Sequence, residues 1–532
     1  MYLDRKTDMI MSGGRHPIKA NYTVGLKNDG KITALHVDLF IDAGFTVDFS
    51  PIFPYTINKT MMKYNWGAYS VDYKVCKTNL PSKSAMRGPG DTQGSFFAET
   101  IIEHVASILG LDSIVVREKN IHTLESAKLF YGSSVESPVS YTLPSIWEKL
   151  KQSASFYERT KNIREFNATN RWFKRGLSLV PCFYAVRLSS RPARVTIFED
   201  GSIAVEVGGV ELGQGIWTKV KQMTAYALGQ LWPGLSADIM AKVRLFQSDS
   251  ISLAHGGLTS GSTTSEESCE AVRHACDILV ERLQPVQILL KKSNPNGFSW
   301  MDLIFQISEG KHQRTRVEQQ DKGDIERTST VPVIQAKSQS VDLSAQTYWV
   351  PDSSASQYLN YGAGASEVEI DLLSGATTIL RTDIIYDCGR SLNPAVDLGQ
   401  IEGAFVQGVG FFMTEEHHVD NNGKLVSDGT WTYKVPTIDT IPRKFNVEIL
   451  NSPFHQKRIL SSKASGEPPL LLAASVHCAI REAIRAARKE LPTDNNKHFR
   501  MDTPASMDVI KSLCALNNVE LYLKSLCIST KQ

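Results

Sequence analysis

A single acidic residue between a glycine and two prolines constrains this chain most strongly. Glu467 follows Gly466 and precedes Pro468 and Pro469. Glycine leaves the backbone free just before the carboxylate, whereas the prolines fix φ and remove two N–H donors. Prolines also suit the first turn of a helix, which the apolar spacing of residues 470–488 predicts. The sequence therefore predicts a carboxylate held in one orientation just before a helix, among apolar neighbours.

Two roles are open for the Glu467 carboxylate. A general base needs a carboxylate that is held in one orientation, and it needs no metal. A carboxylate at the entry of a helix also has a purely structural use, because it interacts favourably with the positive end of the helix dipole. The local pattern alone favours the structural role, so other parts of the chain have to distinguish the two.

The composition excludes several classes of protein. The 532 residues carry 58 basic and 56 acidic side chains, a net charge of +2, which indicates no nucleic-acid partner. The apolar runs are short, so we expect no membrane span of about 20 residues, and charges among the first residues predict no signal peptide. The eight cysteines are scattered without any Cys-x-x-Cys pair, which argues against disulfides, structural zinc and iron–sulfur clusters. A cytoplasmic protein with several domain-sized parts fits best.

Hydrophobic periodicity predicts helices and strands along the whole chain. Alternating apolar residues around the turn at 28–30 predict a β-hairpin over residues 22–44. Further strands are predicted at 195–207, 367–371 and 377–386. Helices are predicted at 95–110, 216–231, about 265–283, 402–413 and 470–488. The polar residues from about 125 to 170 are also predicted to be helical, and the charge-rich residues 313–327 predict a surface loop.

Three glycine-rich loops each lead into a predicted helix. Such a loop presents backbone N–H groups to an anion, although glycine before a helix also has a purely geometric use. The loop at 208–215 has the spacing of neither a P-loop nor a dinucleotide fingerprint. Because the same arrangement occurs three times, we expect the loops to share one anionic ligand. They cover residues 77–94 with Arg87, residues 208–215 with Gln214 between Gly213 and Gly215, and residues 255–265 with small side chains from Thr259 to Ser265.

The amino-acid sequences of these loops resemble those of the molybdenum hydroxylases, the family of xanthine dehydrogenases and aldehyde oxidases. The match runs through nearly the whole chain in the family's order, and residues 209–223 are most similar to plant aldehyde oxidases. The resemblance implies an α+β molybdopterin-binding fold, with residues 1–130 as the remainder of its first half, 131–504 as its second half with the catalytic glutamate, and 505–532 as a tail. It rests on Arg-Gly-Pro-Gly-Asp-Thr-Gln-Gly at 87–94, Gly-Gly-Val-Glu-Leu-Gly-Gln-Gly at 208–215, Asn-Pro-Ala-Val-Asp-Leu-Gly-Gln at 393–400 and Gly-Glu-Pro-Pro-Leu at 466–470.

The resemblance also implies a site. Molybdenum held by a molybdopterin would carry no protein side chain as a ligand, and Glu467 would be the base that deprotonates the attacking hydroxide. The amide of Gln214 would hydrogen-bond the apical oxo ligand. With this family in view, the functional role of Glu467 outweighs the structural one. The implied cofactor contacts are Gln214 with its neighbours Gly213 and Gly215, Arg87 with Gly88, and the backbone of Thr259, Ser260, Gly261 and Ser262.

Two departures from the family bear on function. Family members begin with 2Fe–2S and FAD domains, whereas this sequence matches from inside the first molybdopterin-binding half. We therefore expect a chain truncated on its N-terminal side, without those domains and without an upstream glycine-rich segment. Xanthine-oxidising members also place an arginine in a region where this chain has none, between Arg15 and Arg87. A purine would lack its charged partner there, and sites reject such mismatched substrates strongly.

The leading hypothesis is an aldehyde oxidase-like activity, in which an aldehyde and water give a carboxylic acid at a molybdenum–molybdopterin centre. Plant members of the family act on indole-3-acetaldehyde or abscisic aldehyde, in auxin and abscisic acid biosynthesis. The resemblance implies a cytoplasmic homodimer with a small-molecule aldehyde as its partner. Two alternatives stay open, namely a catalytically inactive, truncated remnant and a xanthine dehydrogenase-like hydroxylase.

Overall fold

The computed structural model describes residues 3–135, 137–247, 249, 251–253, 256–307, 341–353, 356–452, 459–490, 498–514 and 516. The chain forms two compact units, a larger one of Met1–Val186 with Gln357–Gln532 and a smaller one of Arg187–Ser356. The predicted surface loop at 313–327 lies outside the described residues, as does the tail after residue 516. The domain boundaries predicted at residues 130 and 504 stay predictions.

Both units contain helices and strands. The α-helices are α1 (Arg5–Ser12), α2 (Phe53–Met61), α3 (Asp91–Leu109), α4 (Ser113–Asn120), α5 (Leu124–Tyr131), α6 (Leu143–Ser153), α7 (Phe156–Thr169), α8 (Ile216–Leu228), α9 (Leu235–Lys242), α10 (Thr264–Ser293), α11 (Pro394–Met413), α12 (Ala474–Glu490) and α13 (Met507–Leu513). The strands are β1 (Ile18–Leu26), β2 (Ile32–Gly44), β3 (Ala68–Lys77), β4 (Phe173–Arg187), β5 (Arg191–Ile197), β6 (Ile203–Val207), β7 (Val243–Gln247), β8 (Ser344–Trp349), β9 (Gln357–Asp371), β10 (Thr377–Asp387) and β11 (Lys444–Ile449). Among the described residues, no helix combines the length and the hydrophobicity needed to cross a membrane.

The first sheet of the larger unit contains the predicted hairpin. β1 and β2 are antiparallel, and β3 joins β2 in parallel. Gly30 in the turn has φ +89°, a conformation that glycine adopts without steric cost. The sheet packs on α2 and α3 through a fully buried core that includes Ile32, Val37, Ile41, Ile57 and Ile102. The hairpin prediction is confirmed.

The second sheet of the larger unit has the strand order β11–β10–β9–β4. β9 and β10 are antiparallel, and β10 and β11 are parallel. The prediction placed the start of β9 at residue 367, but the strand begins at Gln357. Its first half is buried and therefore lacks the apolar–polar alternation by which a half-buried strand is recognised in sequence.

The helix predicted after Glu467 consists of two parts. Residues Pro468–Ala473 form a 3₁₀ segment with prolines in its first two positions, and α12 follows directly. The predicted inner face of this helix is confirmed, because Val476, Ile480 and Ile484 are fully buried. This element packs against α11 and β9, so the backbone that carries Glu467 lies within the core of the larger unit.

The smaller unit is one sheet backed by helices. Its strand order is β7–β6–β5–β8, and α10 packs on β5 and β8 while α8 packs on α10. The predicted strands at 195–207 are confirmed as β5 and β6, joined by a turn at Gly201. Helix α10 continues to Ser293, about ten residues beyond the predicted end, with Pro285 inside it.

Candidate active site

Glu467 is a buried carboxylate with a defined partner. Its residue is 8% exposed, and the hydroxyl of Tyr184 on β4 donates to Oε2 at 2.5 Å. Glu467 occupies the N-cap position of the 3₁₀ segment, yet its side chain makes no capping hydrogen bond. The carboxylate is therefore turned towards the side chain of Tyr184 rather than towards the N–H groups of the following turn.

The backbone before Glu467 is held by side chains on both sides. The carbonyl of Ala464 accepts from the hydroxyl of Tyr386 at 2.6 Å, and its N–H donates to the hydroxyl of Tyr358 at 3.0 Å. The hydroxyl of Ser465 donates to Oδ1 of Asp397 on α11 at 2.7 Å. Because β9, β10 and α11 all contribute, the position of Glu467 is set by the core rather than by a loose loop.

A buried ion pair lies one residue earlier in the same segment. Nζ of Lys463 is 3.1 Å from Oδ2 of Asp387, and both side chains are fully buried. The charge on Lys463 lowers the pKa of Asp387 against the opposing effect of burial, and hydroxyls of Ser452 and Thr142 also donate to this carboxylate. A buried pair of this kind fixes geometry, because breaking it leaves an uncompensated charge in the core.

Arg87 contacts the same segment from the first glycine-rich loop. Its Nε donates to the carbonyl of Gly466 at 2.7 Å, and its terminal nitrogens donate to Gln407 at 3.3 Å and to Gln400 at 3.1 Å and 3.2 Å. Burial lowers the pKa of this guanidinium, while the charge of Glu467 opposes the shift. Gly88 follows with φ +68°. The structure thus brings two of the predicted site residues, Arg87 and Glu467, together.

Arg15 was missed by the sequence analysis. Its two terminal nitrogens donate to the carbonyls of Met86 and Arg87, each at 2.8 Å. Burial lowers its pKa, and the charges of Glu415 and Glu467 are among those that oppose the shift. No local pattern identifies this residue, because it acts on a loop about 70 residues away in sequence.

Asp91 and Tyr184 were also missed as site residues. Asp91 is the first residue of α3, and the hydroxyl of Thr60 donates to its Oδ1 at 2.5 Å. Burial raises the pKa of Asp91 well above its usual range, and the nearby Glu467 carboxylate adds to the shift. Asp91 lies within the loop motif that pointed to Arg87, so a signal existed, whereas Tyr184 lies in an apolar strand that gave none.

The loop with Gln214 in the smaller unit is closed by its own side chains. Oε1 of Gln214 accepts from the N–H of Leu212 at 2.5 Å, and its Nε2 donates to the carbonyl of Val210 at 2.8 Å. The Glu211 carboxylate accepts from the N–H groups of Gly213 at 2.8 Å and Gly215 at 3.0 Å. The Gln214 amide is therefore held on its own loop, and use of this amide on a ligand would replace those bonds.

A hydrogen bond connects the third loop to the second. The hydroxyl of Thr259 accepts from the N–H of Val210 at 3.0 Å, and the N–H of Ser260 donates to Thr264 at 3.3 Å. Gly261 and Ser262 are both left-handed, with φ +67° and +62°. A left-handed serine is uncommon, and such backbone strain is typical of ligand-binding loops.

Arg191 and Glu267 anchor both loops of the smaller unit, and the sequence analysis missed them. Nε of Arg191 donates to Glu267 at 2.6 Å, and both residues are buried. The other nitrogens of Arg191 donate to the carbonyls of Gly208, Gly256 and Leu258. One buried guanidinium thus connects residues 208 and 256–258 across two loops.

The described residues fit a polar, anionic cofactor. Nε2 of Gln93, two residues after Asp91, is buried and has no hydrogen-bond partner within the described part of the larger unit. In the smaller unit the same holds for Oγ of Ser268 on α10. A side chain added at Gly213 would meet no atom within 4 Å, so space is open beside Gln214. In the smaller unit, a buried hydroxyl without a partner and open space beside Gln214 are what a bound pterin would complete.

No protein ligand for a metal was predicted. Among the described residues, one surface group has the residue types of a metal site: His36 and Asp38 on β2 and Asp72 on β3 have ligand atoms within 4.8 Å of one another. Their side chains are largely exposed, and the two carboxylates lie 3.5 Å and 4.0 Å from Nε2 of the imidazole. Exposed acidic groups of this kind are common without a metal ion.

Comparison with known proteins identifies the family. Two family models, both described as a molybdopterin cofactor-binding domain, match residues 1–121 and 149–442. The crystal structure of quinoline 2-oxidoreductase from Pseudomonas putida 86 shares the fold, with a TM-score of 0.76 at 19% identity over 97% of this chain and 64% of that one. The predicted α+β fold and the predicted molybdopterin cofactor are confirmed.

Two plant proteins are much more similar in sequence. An indole-3-acetaldehyde oxidase of Zea mays is 56% identical over 99% of this chain and 37% of its own length. Aldehyde oxidase 4 of Arabidopsis thaliana is 53% identical over 98% of this chain and 38% of its own length. This chain thus spans little more than a third of the length of these relatives. It belongs to the molybdenum hydroxylase family and corresponds to that family's molybdopterin cofactor-binding part.

Proposed function

We propose that this chain supplies the molybdopterin-binding part of an aldehyde oxidase-type enzyme, in which Glu467 is the catalytic base. The reaction is the oxidation of an aldehyde with water to a carboxylic acid, which releases two electrons and two protons. The observation that carries the proposal is a buried carboxylate held through one oxygen by Tyr184, on a backbone that the core fixes. The similarity to plant aldehyde oxidases supports the substrate class.

The candidate cofactor contacts of the larger unit are Arg87 and Gly88, from the loop before α3. The candidate contacts of the smaller unit are Gln214 with Gly213 and Gly215, from the loop before α8, and backbone N–H groups of Thr259, Ser260, Gly261 and Ser262. When bound, the molybdenum centre supplies the hydroxide nucleophile and accepts the two electrons.

Glu467 takes up the proton of the nucleophile. Tyr184 orients this carboxylate by donating to Oε2 at 2.5 Å. A buried carboxylate needs nearby positive charge, which Arg87 and Arg15 supply. Removal of water from such a site strengthens these interactions, and general-base catalysis typically contributes about 10²–10⁴-fold.

An aldehyde fits this chain better than a purine. No arginine lies between Arg15 and Arg87, and the intervening helix α2 carries apolar and aromatic side chains such as Phe53 and Tyr55. A relative from maize is named an indole-3-acetaldehyde oxidase, and an aldehyde of that class is the substrate proposed for this chain. The homodimeric state and the cytoplasmic location belong to the same proposal. The seven cysteines of the described residues form no disulfide, which supports a reducing compartment.

The test compares two Glu→Gln variants in a host that makes the cofactor. The chain is produced as it is and also in place of the matching segment of the maize relative, and aldehyde turnover is followed with an artificial electron acceptor. Glu467→Gln should lower turnover by at least roughly 10²-fold at unchanged molybdenum content. Glu415→Gln is the matched control, because Glu415 is also a partly buried carboxylate with a tyrosine donor, Tyr433 at 2.7 Å. Turnover that survives Glu467→Gln would contradict the proposed role.

Molybdenum and pterin analysis of the same preparations separates the enzyme from its rival, the inactive remnant. A preparation that holds the cofactor but oxidises xanthine in preference to aldehydes would favour the xanthine dehydrogenase-like alternative. A preparation without molybdenum in either context would favour the remnant.

A further inference from the structure

Helix α8 begins without a cap of the usual kind. Its N-cap residue is Gly215, which has no side chain to accept from the first turn, and no acidic residue lies in that turn. The first N–H groups of a helix have no partner within the helix, so their partner has to come from elsewhere. For the N–H of Trp217 in this turn, the partner is the carboxylate of Glu211 in the preceding loop.

Glu211 accepts three backbone hydrogen bonds from the loop and from the start of the helix. Its Oε1 accepts from the N–H groups of Gly213 at 2.8 Å and Gly215 at 3.0 Å, and its Oε2 accepts from that of Trp217 at 3.2 Å. Gly213 and Gly215 are both left-handed, with φ +101° and +75°. Left-handed residues of this kind turn successive N–H groups towards one point, and such concavities bind anions. Here that anion is a side chain of the loop itself.

Packing fixes both ends of this loop but not its middle. A Cβ added at Gly209 would lie 2.5 Å from Cδ1 of Ile216 and 2.6 Å from Cγ2 of Thr264, so the loop begins directly against the starts of α8 and α10. Ile216 itself is fully buried. Residues 211–215 between these points are half-buried or exposed. The conformation of this middle part therefore depends on its hydrogen bonds more than on packing.

The side chains of Glu211 and Gln214 hold different atoms of the loop. The Gln214 amide accepts from the N–H of Leu212 and donates to the carbonyl of Val210. The Glu211 carboxylate accepts from the N–H groups of residues 213, 215 and 217. Because these two sets share no atom, the Gln214 amide can turn away from its loop without breaking any of the three bonds of Glu211.

We propose that Glu211 is the positioning residue of Gln214, a built-in anion that shapes the backbone on both sides of Gln214 before any cofactor arrives. The N–H groups of residues 213, 215 and 217 then serve Glu211, and not the anionic ligand that the three glycine-rich loops are expected to share. The cofactor meets this loop through the Gln214 amide, while Gly213 and Gly215 act through their left-handed backbone. This inference rests on the proposed function only in giving Gln214 a contact with the cofactor.

Hydrogen exchange of the purified chain, at single-residue resolution and without cofactor, tests this division of the loop. In Glu211→Ala the amides of residues 213, 215 and 217 should exchange at least about tenfold faster, because each loses a hydrogen bond to a charged acceptor. In Gln214→Ala the amide of Leu212 should exchange faster while those three amides stay protected. Glu211→Gln keeps one acceptor oxygen and should restore the protection of residues 213 and 215 but not of residue 217.

Asp200→Ala is the matched control for the loss of a carboxylate. Asp200 also accepts from a backbone N–H, that of Ser202 at 2.9 Å, in the turn at the other end of β6. Its replacement should leave the exchange of residues 213–217 unchanged. Unchanged exchange of the three amides in Glu211→Ala would overturn the proposal, and so would their loss of protection in Gln214→Ala.

Turnover per bound molybdenum, in the chimera with the maize relative, separates positioning from a direct role. Because Glu211 acts through Gln214, Glu211→Ala should lower kcat, and the double variant with Gln214→Ala should be no slower than Gln214→Ala alone. Additive losses in the double variant would contradict the positioning role. If Gln214→Ala kept normal turnover at normal molybdenum content, the proposed contact of Gln214 with the cofactor would fail, while hydrogen exchange would still decide whether Glu211 shapes the loop.

Discussion

Replacement of Arg191 by methionine tests whether one buried guanidinium holds the two loops of the smaller unit. Arg191 is 3% exposed and Glu267 is fully buried, so Arg191→Met leaves a carboxylate in the core without its cation. Removal of one partner of a buried pair costs about 3–5 kcal/mol. For a unit of this size, about 2–4 °C of melting temperature correspond to 1 kcal/mol, so we expect a loss of roughly 10 °C.

The assay combines thermal unfolding with hydrogen exchange. In Arg191→Met, amides at 208–215 and 256–263 should exchange faster, because three carbonyls of these loops lose their donor. The double variant with Glu267→Met should regain much of the lost stability, because no unpaired charge remains. The control Arg273→Met removes an arginine from two partly exposed pairs on α10 and should cost less, on the order of 0.5 kcal/mol. A loss below about 1 kcal/mol in Arg191→Met, or strict additivity in the double variant, would refute the reasoning.

Three further results follow from the structure. Gln214→Ala should slow turnover in the chimera with the maize relative while the melting temperature stays unchanged, because the Gln214 amide forms hydrogen bonds only within its own loop. Normal turnover at normal molybdenum content would exclude a role of Gln214 in cofactor placement. Gly176→Ala should destabilise the larger unit by several kcal/mol, because the new Cβ would lie 1.9 Å from the carbonyl oxygen of Ala479. The control Gly403→Ala places its Cβ in open space on α11 and should stabilise the unit by about 0.5–1 kcal/mol. Chemical denaturation measures the free energy of unfolding of both variants. Because burial raises the pKa of Asp91 in the folded state, its contribution to stability is complete below the unfolded pKa of about 3.9 and is lost as pH rises towards the folded value. Asp91→Asn should remove that decline, and unchanged pH dependence of unfolding would contradict it.

The sequence correctly predicted those helices and strands that neighbouring residues determine. The hairpin at 22–44 has its turn chemistry in three adjacent residues, and the apolar face of α12 repeats at helical spacing. Two helix starts were placed too late although their signals were present. α11 begins at Pro394 because Asn393 caps it at 3.0 Å, and α3 begins at Asp91 because Gly90 and Gln93 form its cap.

The candidate site was only partly accessible from sequence, for a physical reason. Glu467 was found because glycine and proline act on the backbone next to it. Tyr184 contacts Glu467 across 283 residues, and Arg87 contacts Gly466 across 379. Such contacts arise when distant elements pack together, and they leave no pattern near either residue. Arg191 and Glu267, whose contact spans 76 residues, were missed for the same reason.

The fixation of Ala464 and Ser465 has a consequence for the temperature dependence of the reaction. Because Tyr358, Tyr386 and Asp397 hold this backbone in the folded chain, Glu467 can approach a substrate only through its own side-chain torsions. The ordering of the base is then complete before substrate arrives and does not recur in each catalytic cycle. Under the proposed function, proton abstraction by Glu467 should therefore carry a small activation entropy, and its rate should follow a linear Eyring plot over the range in which the core stays folded.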